Sequence, residues 1–163
     1  VKARKAGAGA LHLLLVGDGM SRAGLQALAA ELNDADAVTF YGSVPAQEVP
    51  KFTALADALL ISLADTPDLG MTIPGKLASY MAAGKPVVAA MNGAGAEAVQ
   101  QSGGGLVSAA CDEDALAENL LSLCAMPLPE REVMGQKAKA YYEKHYRRAE
   151  LLRRLETFIL QGE

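Results

Sequence analysis

Tryptophan is absent, and aromatic residues make up only 5% of the 163-residue chain. A core without large rings must be built from small and aliphatic side chains, and 31 alanines supply many of them. That favours close helix-on-sheet layers over a β-sandwich, where aromatic and β-branched residues dominate. No apolar run approaches the roughly 20 residues that span a bilayer, and no secretory signal is visible. Only two cysteines occur, Cys111 and Cys124, without metal-ligand spacing. This points to reduced thiols in a cytosolic protein. Basic residues are in the minority, 15 against 19 acidic, for a net charge of −4. A nucleic-acid binder relying on phosphate neutralisation needs a basic excess or a basic face. The basic clusters, Lys2–Lys5 and Arg147-Arg148 with Arg153-Arg154, lie towards the chain ends and read as solvated charge. The remaining balance, 51% hydrophobic and 21% charged, is that of one globular domain over residues 1–163.

Short apolar runs alternate with amphipathic stretches. The strand expectations are Leu11–Val16, Ala37–Tyr41, Ala58–Leu63, Pro86–Ala90 and Gly105–Val107. Between them, Ser21 is placed to cap a helix with Leu25, Leu28, Ala29 and Leu32 on one face. Pro45 opens another helix through Val49, Phe52 and Leu55. A polar loop covers Ala64–Gly70, and helices follow at Ile73–Ala83 and Ala94–Gln101. The remainder reads as three helices, Asp112–Leu123, Glu130–Tyr146 and Arg148–Leu160. Nearly all-apolar strands separated by helices imply buried parallel strands, so a three-layer α/β/α sheet covered on both faces.

Ligands of such folds bind at the carboxyl ends of the strands. The segments to inspect are therefore Gly17-Asp18-Gly19, Gly42-Ser43-Val44, Asp65–Thr72 and Asn92-Gly93-Ala94. Gly17-Asp18-Gly19-Met20-Ser21-Arg22 starts like a dinucleotide fingerprint, but Arg22 stands where the third glycine belongs. There is no Walker pattern. A phosphorelay receiver would need an acceptor aspartate ending a central strand and an acidic pair after the first, and neither is present. The histidines, His12 and His145, are far apart, and neither a nucleophile–base pair nor a metal cluster emerges. Catalytic residues are therefore unassigned. The most specific stretch is Met71–Val88, in which Thr72 and Pro74 set a helix N-terminus whose free N–H groups suit a phosphate. Lys76, in the first turn, opposes the helix dipole unless an anion offsets it.

Several segments together carry a resemblance. They are Leu14–Gly19, Val38–Pro45, Ala56–Ile61, Pro74–Val88 and Gly104–Val107. In this order and spacing they resemble the C-terminal domain of a GT-B glycosyltransferase of the family 4 type, over about Leu11–Leu160. The resemblance implies a Rossmann-like domain, half of a GT-B enzyme, that holds a nucleotide-diphosphate sugar donor. It implies transfer to a glycan or lipid-linked acceptor in bacterial polysaccharide synthesis, with retention, and with neither metal nor cofactor. It implies a cytoplasmic protein, peripheral at the inner membrane face in its full-length form. By resemblance, Gly42, Ser43 and Val44 border the base, with Gly17 and Gly19 nearby. The loop before Pro74 and the helix start with Lys76 face the sugar and diphosphate. Two family glutamates, eight positions apart, correspond here to Met71 and Ser79, and Glu97 reads either as a nearby carboxylate or as a surface helix residue.

The family's domain also begins with a strand and an Arg/Lys pair, and nothing before Leu11 matches them. The chain thus reads as a piece of an enzyme, partnered by an N-terminal acceptor domain and inactive alone. Alternatives are a stand-alone nucleotide-binding or regulatory module and a nucleotide-sugar epimerase of the same fold. The unmatched strand belongs between those at Leu11–Val16 and Ala58–Leu63. Its lack leads to the expectation of a contracted sheet or a self-dimer.

Overall fold

The computed structural model describes residues 1–7 and 11–161. Five parallel strands form: β1 (Leu13–Val16), β2 (Val38–Gly42), β3 (Leu59–Ser62), β4 (Val87–Ala90) and β5 (Gly105–Ser108). Each lies on an expected strand, within two residues at either end. The helices are α1 (Lys2–Lys5), α2 (Arg22–Glu31), α3 (Val49–Leu55), α4 (Pro67–Gly70), α5 (Gly75–Ala82), α6 (Ala94–Ser102), α7 (Glu113–Ala125), α8 (Leu128–His145) and α9 (Arg148–Gln161). α1 and α4 were not expected from the sequence. Short 3₁₀ turns, Ala35–Ala37 and Ala46–Glu48, precede β2 and α3.

The strands make two ladders, β1–β2 and β3–β4–β5. All four residues of β4 are buried. Because side chains alternate across a strand, this means that both faces of the second ladder are covered. Its core gathers Ile61, Leu77, Met81, Val87, Met91 and Val99, each at most 1% exposed. The layers approach closely because small residues meet backbone. A Cβ on Gly104 would lie 2.5 Å from Ala138 of α8, and one on Gly135 would overlap the carbonyl of Gly84. Alanine and glycine at these contacts let α8 lie directly on the β-loops.

The first ladder departs from the expectation of full burial. β1 and β2 have no fully buried residue, Leu14 is 41% exposed, and nothing in α2 is buried. The expected contracted sheet does not form among the described residues, since β1 does not pair with β3. Instead α1 packs on α7 and pairs by Arg4 with Asp34 and Asp36, and by Lys2 with Glu113 and Asp114. These contacts tie the two halves without bringing β1 beside β3. Lys2 and Arg4 of the basic cluster are thus partnered, not merely solvated.

Capping differs in detail. Asp112 accepts from the Ala115 N–H at 2.9 Å and opens α7, as its sequence position suggests. Ser21 stands at the N-cap of α2, but its side chain makes no capping bond. Asp112→Ala should cost about 1 kcal/mol, read as a lower urea midpoint, while Ser21→Ala should cost much less. Equal losses for the two variants would contradict these capping assignments.

Candidate functional site

At the carboxyl ends of β1 and β2, two glycines meet. The Gly17 N–H donates to the Gly42 carbonyl at 2.8 Å, and their φ angles are +137° and +92°. The ladder skips a residue here: Leu15 pairs with Phe40 and Val16 with Gly42, leaving Tyr41 as a bulge. Such bulges re-aim a strand end. Tyr41 turns out to meet the ring of Phe52 of α3 edge-on, with centroids 4.7 Å apart. Ser43 is exposed and Val44 half-buried beyond the bulge, and Gly19 is exposed with open space around it.

A second cluster forms at the carboxyl ends of β3, β4 and β5. Asn92, after β4, donates to the Asp65 carboxylate at 2.9 Å and accepts from the Ala110 N–H at 3.2 Å. One side chain thereby pins the loops that follow three neighbouring strands. Gly93 (φ +75°) lies against the backbone of Gly70. A Cβ on Gly95 would sit 3.0 Å from Pro74. The start of α6 therefore abuts the Met71–Pro74 loop.

Pro74 is the N-cap residue of α5. Its carbonyl accepts from Leu77 at 2.8 Å, whereas the N–H groups of Gly75 and Lys76 have no acceptor among the described residues. Thr72 does not join this cap. Its hydroxyl donates to the Leu69 carbonyl at 3.2 Å and closes the α4 turn. Lys76 is exposed and makes no ion pair among the described residues. Met71 and Ser79 are also exposed. Burial pushes the Tyr80 phenol on α5 above its ordinary range, so it stays neutral. Glu97, in the first turn of α6, lines an open groove of about 330 Å³ with Asn92, Gln100 and Ser108.

The expected residues thus fall into two groups: Gly17, Gly19, Gly42, Ser43 and Val44 on the first ladder, and Met71, Thr72, Pro74, Lys76, Ser79 and Glu97 on the second. No hydrogen bond or ion pair among the described residues joins the groups. Sequence reasoning missed Asn92 as a tether, and it placed Arg22 only as a misfit. Arg22 donates to the Phe40 carbonyl at 3.3 Å and stands 3.7 Å from Asp18. A helix N-terminus with free N–H groups at the carboxyl end of a parallel ladder makes an anion-accepting surface of the α/β type.

Residues 1–126 match the family model described as glycosyl transferases group 1, and the chain belongs to that family. Its α/β architecture matches the Rossmann-like fold of GT-B glycosyltransferase structures. One of these is HepE of Anabaena, solved in complex with UDP, which superimposes with a TM-score of 0.80 at 19% identity, over 98% of this chain and 44% of that one. Sucrose-phosphate synthase from Thermosynechococcus elongatus gives 0.77 at 20%, over 98% and 41%. In sequence the chain is similar to the GDP-mannose-dependent alpha-(1-6)-phosphatidylinositol monomannoside mannosyltransferase of Mycobacterium tuberculosis. The two are 35% identical over 114 residues, 68% of this chain and 29% of that protein. The corresponding protein of Mycolicibacterium smegmatis is 33% identical over 71% of this chain and 31% of its own length. The chain thus spans less than a third of the curated relatives it matches. Among the described residues no helix is long and apolar enough to cross a membrane.

Proposed function

We propose that the chain is the donor-binding half of a longer GT-B glycosyltransferase. It holds a nucleoside-diphosphate sugar while an acceptor domain elsewhere in the protein presents a glycan or lipid-linked acceptor. The observation that carries this reading is the start of α5, where the N–H groups of Gly75 and Lys76 lack an acceptor among the described residues, the Lys76 side chain is exposed, and Pro74 lies against Gly95 of α6. That geometry suits a diphosphate. Support comes from the UDP bound by HepE and the GDP-mannose in the names of the mycobacterial relatives. Under this reading Gly42, Ser43 and Val44, with Gly17 and Gly19, border the nucleoside, and Glu97 faces the donor from α6. The sugar-side positions Met71 and Ser79 carry no carboxylate, so their contribution is shape and a hydroxyl. The donor is the substrate, and the reading calls for no resident metal or cofactor. Retention of configuration, a role in polysaccharide synthesis, and a cytoplasmic enzyme peripheral at the membrane belong to the same proposal.

Lys76→Ala tests it. In the full-length protein the change should raise the donor KM or lower kcat, with a loss in kcat/KM of roughly 1–3 kcal/mol, the range for hydrogen bonds to charged groups. Donor kinetics equal to wild type would remove Lys76 from the site.

A further inference from the structure

Arg22 is the residue that spoils the dinucleotide fingerprint, and the structure gives it a place at the strand ends. It begins α2, yet its guanidinium reaches across to the end of β2. There Nη2 donates to the Phe40 carbonyl at 3.3 Å, on the near side of the Tyr41 bulge. Nη1 lies 3.4 Å from where a Cβ on Gly42 would stand, so the guanidinium packs directly on that glycine. The same nitrogen is 3.7 Å from Asp18. The side chain is 33% exposed, less than that of Asp18 at 59%. A bulge with its glycine at φ +92° has several alternative shapes. An arginine laid against it, fixed at its other end by the α2 backbone, selects one.

We propose that Arg22 is a positioning residue for nucleoside recognition: its guanidinium holds the bulged Phe40–Gly42 strand end and so presents Ser43 and Val44 to the base. This rests on the reading of the chain as a nucleotide-sugar binder. Arg22 acts through the backbone and not on the ligand's charge. Its Nη2 donates to Phe40 and its Nη1 packs beside Gly42 and Asp18, and none of these is part of the diphosphate-facing group on the second ladder.

Binding of UDP, GDP and inorganic pyrophosphate to the full-length protein separates the possibilities. Arg22→Met should weaken the preferred nucleoside diphosphate about tenfold, as expected for one charge-assisted hydrogen bond. It should leave pyrophosphate affinity unchanged, and donor KM should rise with kcat preserved. Arg22→Lys, which keeps a donor but loses the planar fork, should recover part of the loss. Gly42→Ala disturbs the same contact from the other side, so the Arg22→Met/Gly42→Ala double variant should lose less than the sum of the singles. An Arg22→Met protein that binds the nucleoside diphosphate like wild type overturns the proposal. So does an equal loss of pyrophosphate binding, which would make Arg22 a direct anion contact. If Arg22→Met fails to fold, additive losses in the Arg22→Lys/Gly42→Ala pair overturn it instead. A wild-type protein that binds neither UDP nor GDP would refute the underlying function, a result distinct from all of these.

Discussion

Gly93→Ala should be the most damaging single-methyl change at the site, costing about 3 kcal/mol and donor binding with it. Two costs add. Gly93 has φ +75° and ψ −150°, a region essentially confined to glycine, where an L-residue carries roughly 1–3 kcal/mol of strain. The added Cβ would also overlap the Gly70 carbonyl oxygen and lie 2.6 Å from its carbon and 2.8 Å from its Cα. Overpacking of this kind typically costs 1–3 kcal/mol, roughly the second half of the total. Neither partner can yield cheaply. Asn92 is anchored to Asp65 and Ala110, and Gly95 is backed by Pro74 and Met91. Relief must come from displacing the Asp65–Pro74 loop, which carries the cap of α5. Urea denaturation followed by circular dichroism reads the stability, and UDP or GDP titration reads the site. Gly24→Ala is the matched control, in an exposed helix with open space around it. It should stabilise by roughly 0.5–1 kcal/mol. A Gly93→Ala protein as stable as wild type would mean that the contact with Gly70 is not kept in solution.

The second large effect is on turnover. The 163 residues on their own should transfer sugar at least about 10⁵-fold more slowly than the full-length protein, because orientation of acceptor against donor is worth effective molarities of roughly 10⁵–10⁸ M. In the proposed reading, the assembled protein also completes the cationic surroundings of the departing diphosphate. Stabilisation of the departing diphosphate by such charges is commonly the largest single contribution to the rate. Radiolabelled donor with an acceptor mixture, assayed on the chain and on the full-length protein, measures the ratio. Transfer by the chain within tenfold of the full-length rate would refute the division of labour proposed here. Donor hydrolysis without transfer would confine the failure to the acceptor side.

The second ladder was the most legible part of the chain. Val87-Val88-Ala89-Ala90 is a continuous apolar run bounded by Pro86 and Asn92, and only a strand buried on both faces satisfies it. The expected helix Ile73–Ala83 stops before Gly84, whose φ of +69° suits glycine just past a helix end. The first ladder misled. Leu13–Val16 is equally apolar, but a run of leucines reports the capacity to be buried, not the presence of a neighbour to do it. α4 hid inside a polar loop since Pro67-Asp68-Leu69-Gly70 is too short to show a period. In the site, Lys76 and Pro74 were readable from helix-start chemistry. Thr72 was assigned to the wrong turn because a threonine two residues before a proline can close either one. Asn92 and Arg22 act over 27 and 18 residues, on Asp65 and Phe40, and local spacing carries no trace of such partners.

The separation of the two ladders has a consequence for how the molecule opens. With no strand hydrogen bonds between the ladders among the described residues, amides of Leu13–Val16 and Val38–Gly42 should exchange with solvent while those of Val87–Ala90 remain protected, as expected of two units of different opening free energy. The glycine turn sits on the looser unit, and the α5 start on the tighter one. A ligand touching both would act as a clasp across the molecule. Part of its intrinsic affinity would then go into ordering the looser unit, and binding would register as slowed amide exchange in β1 and β2.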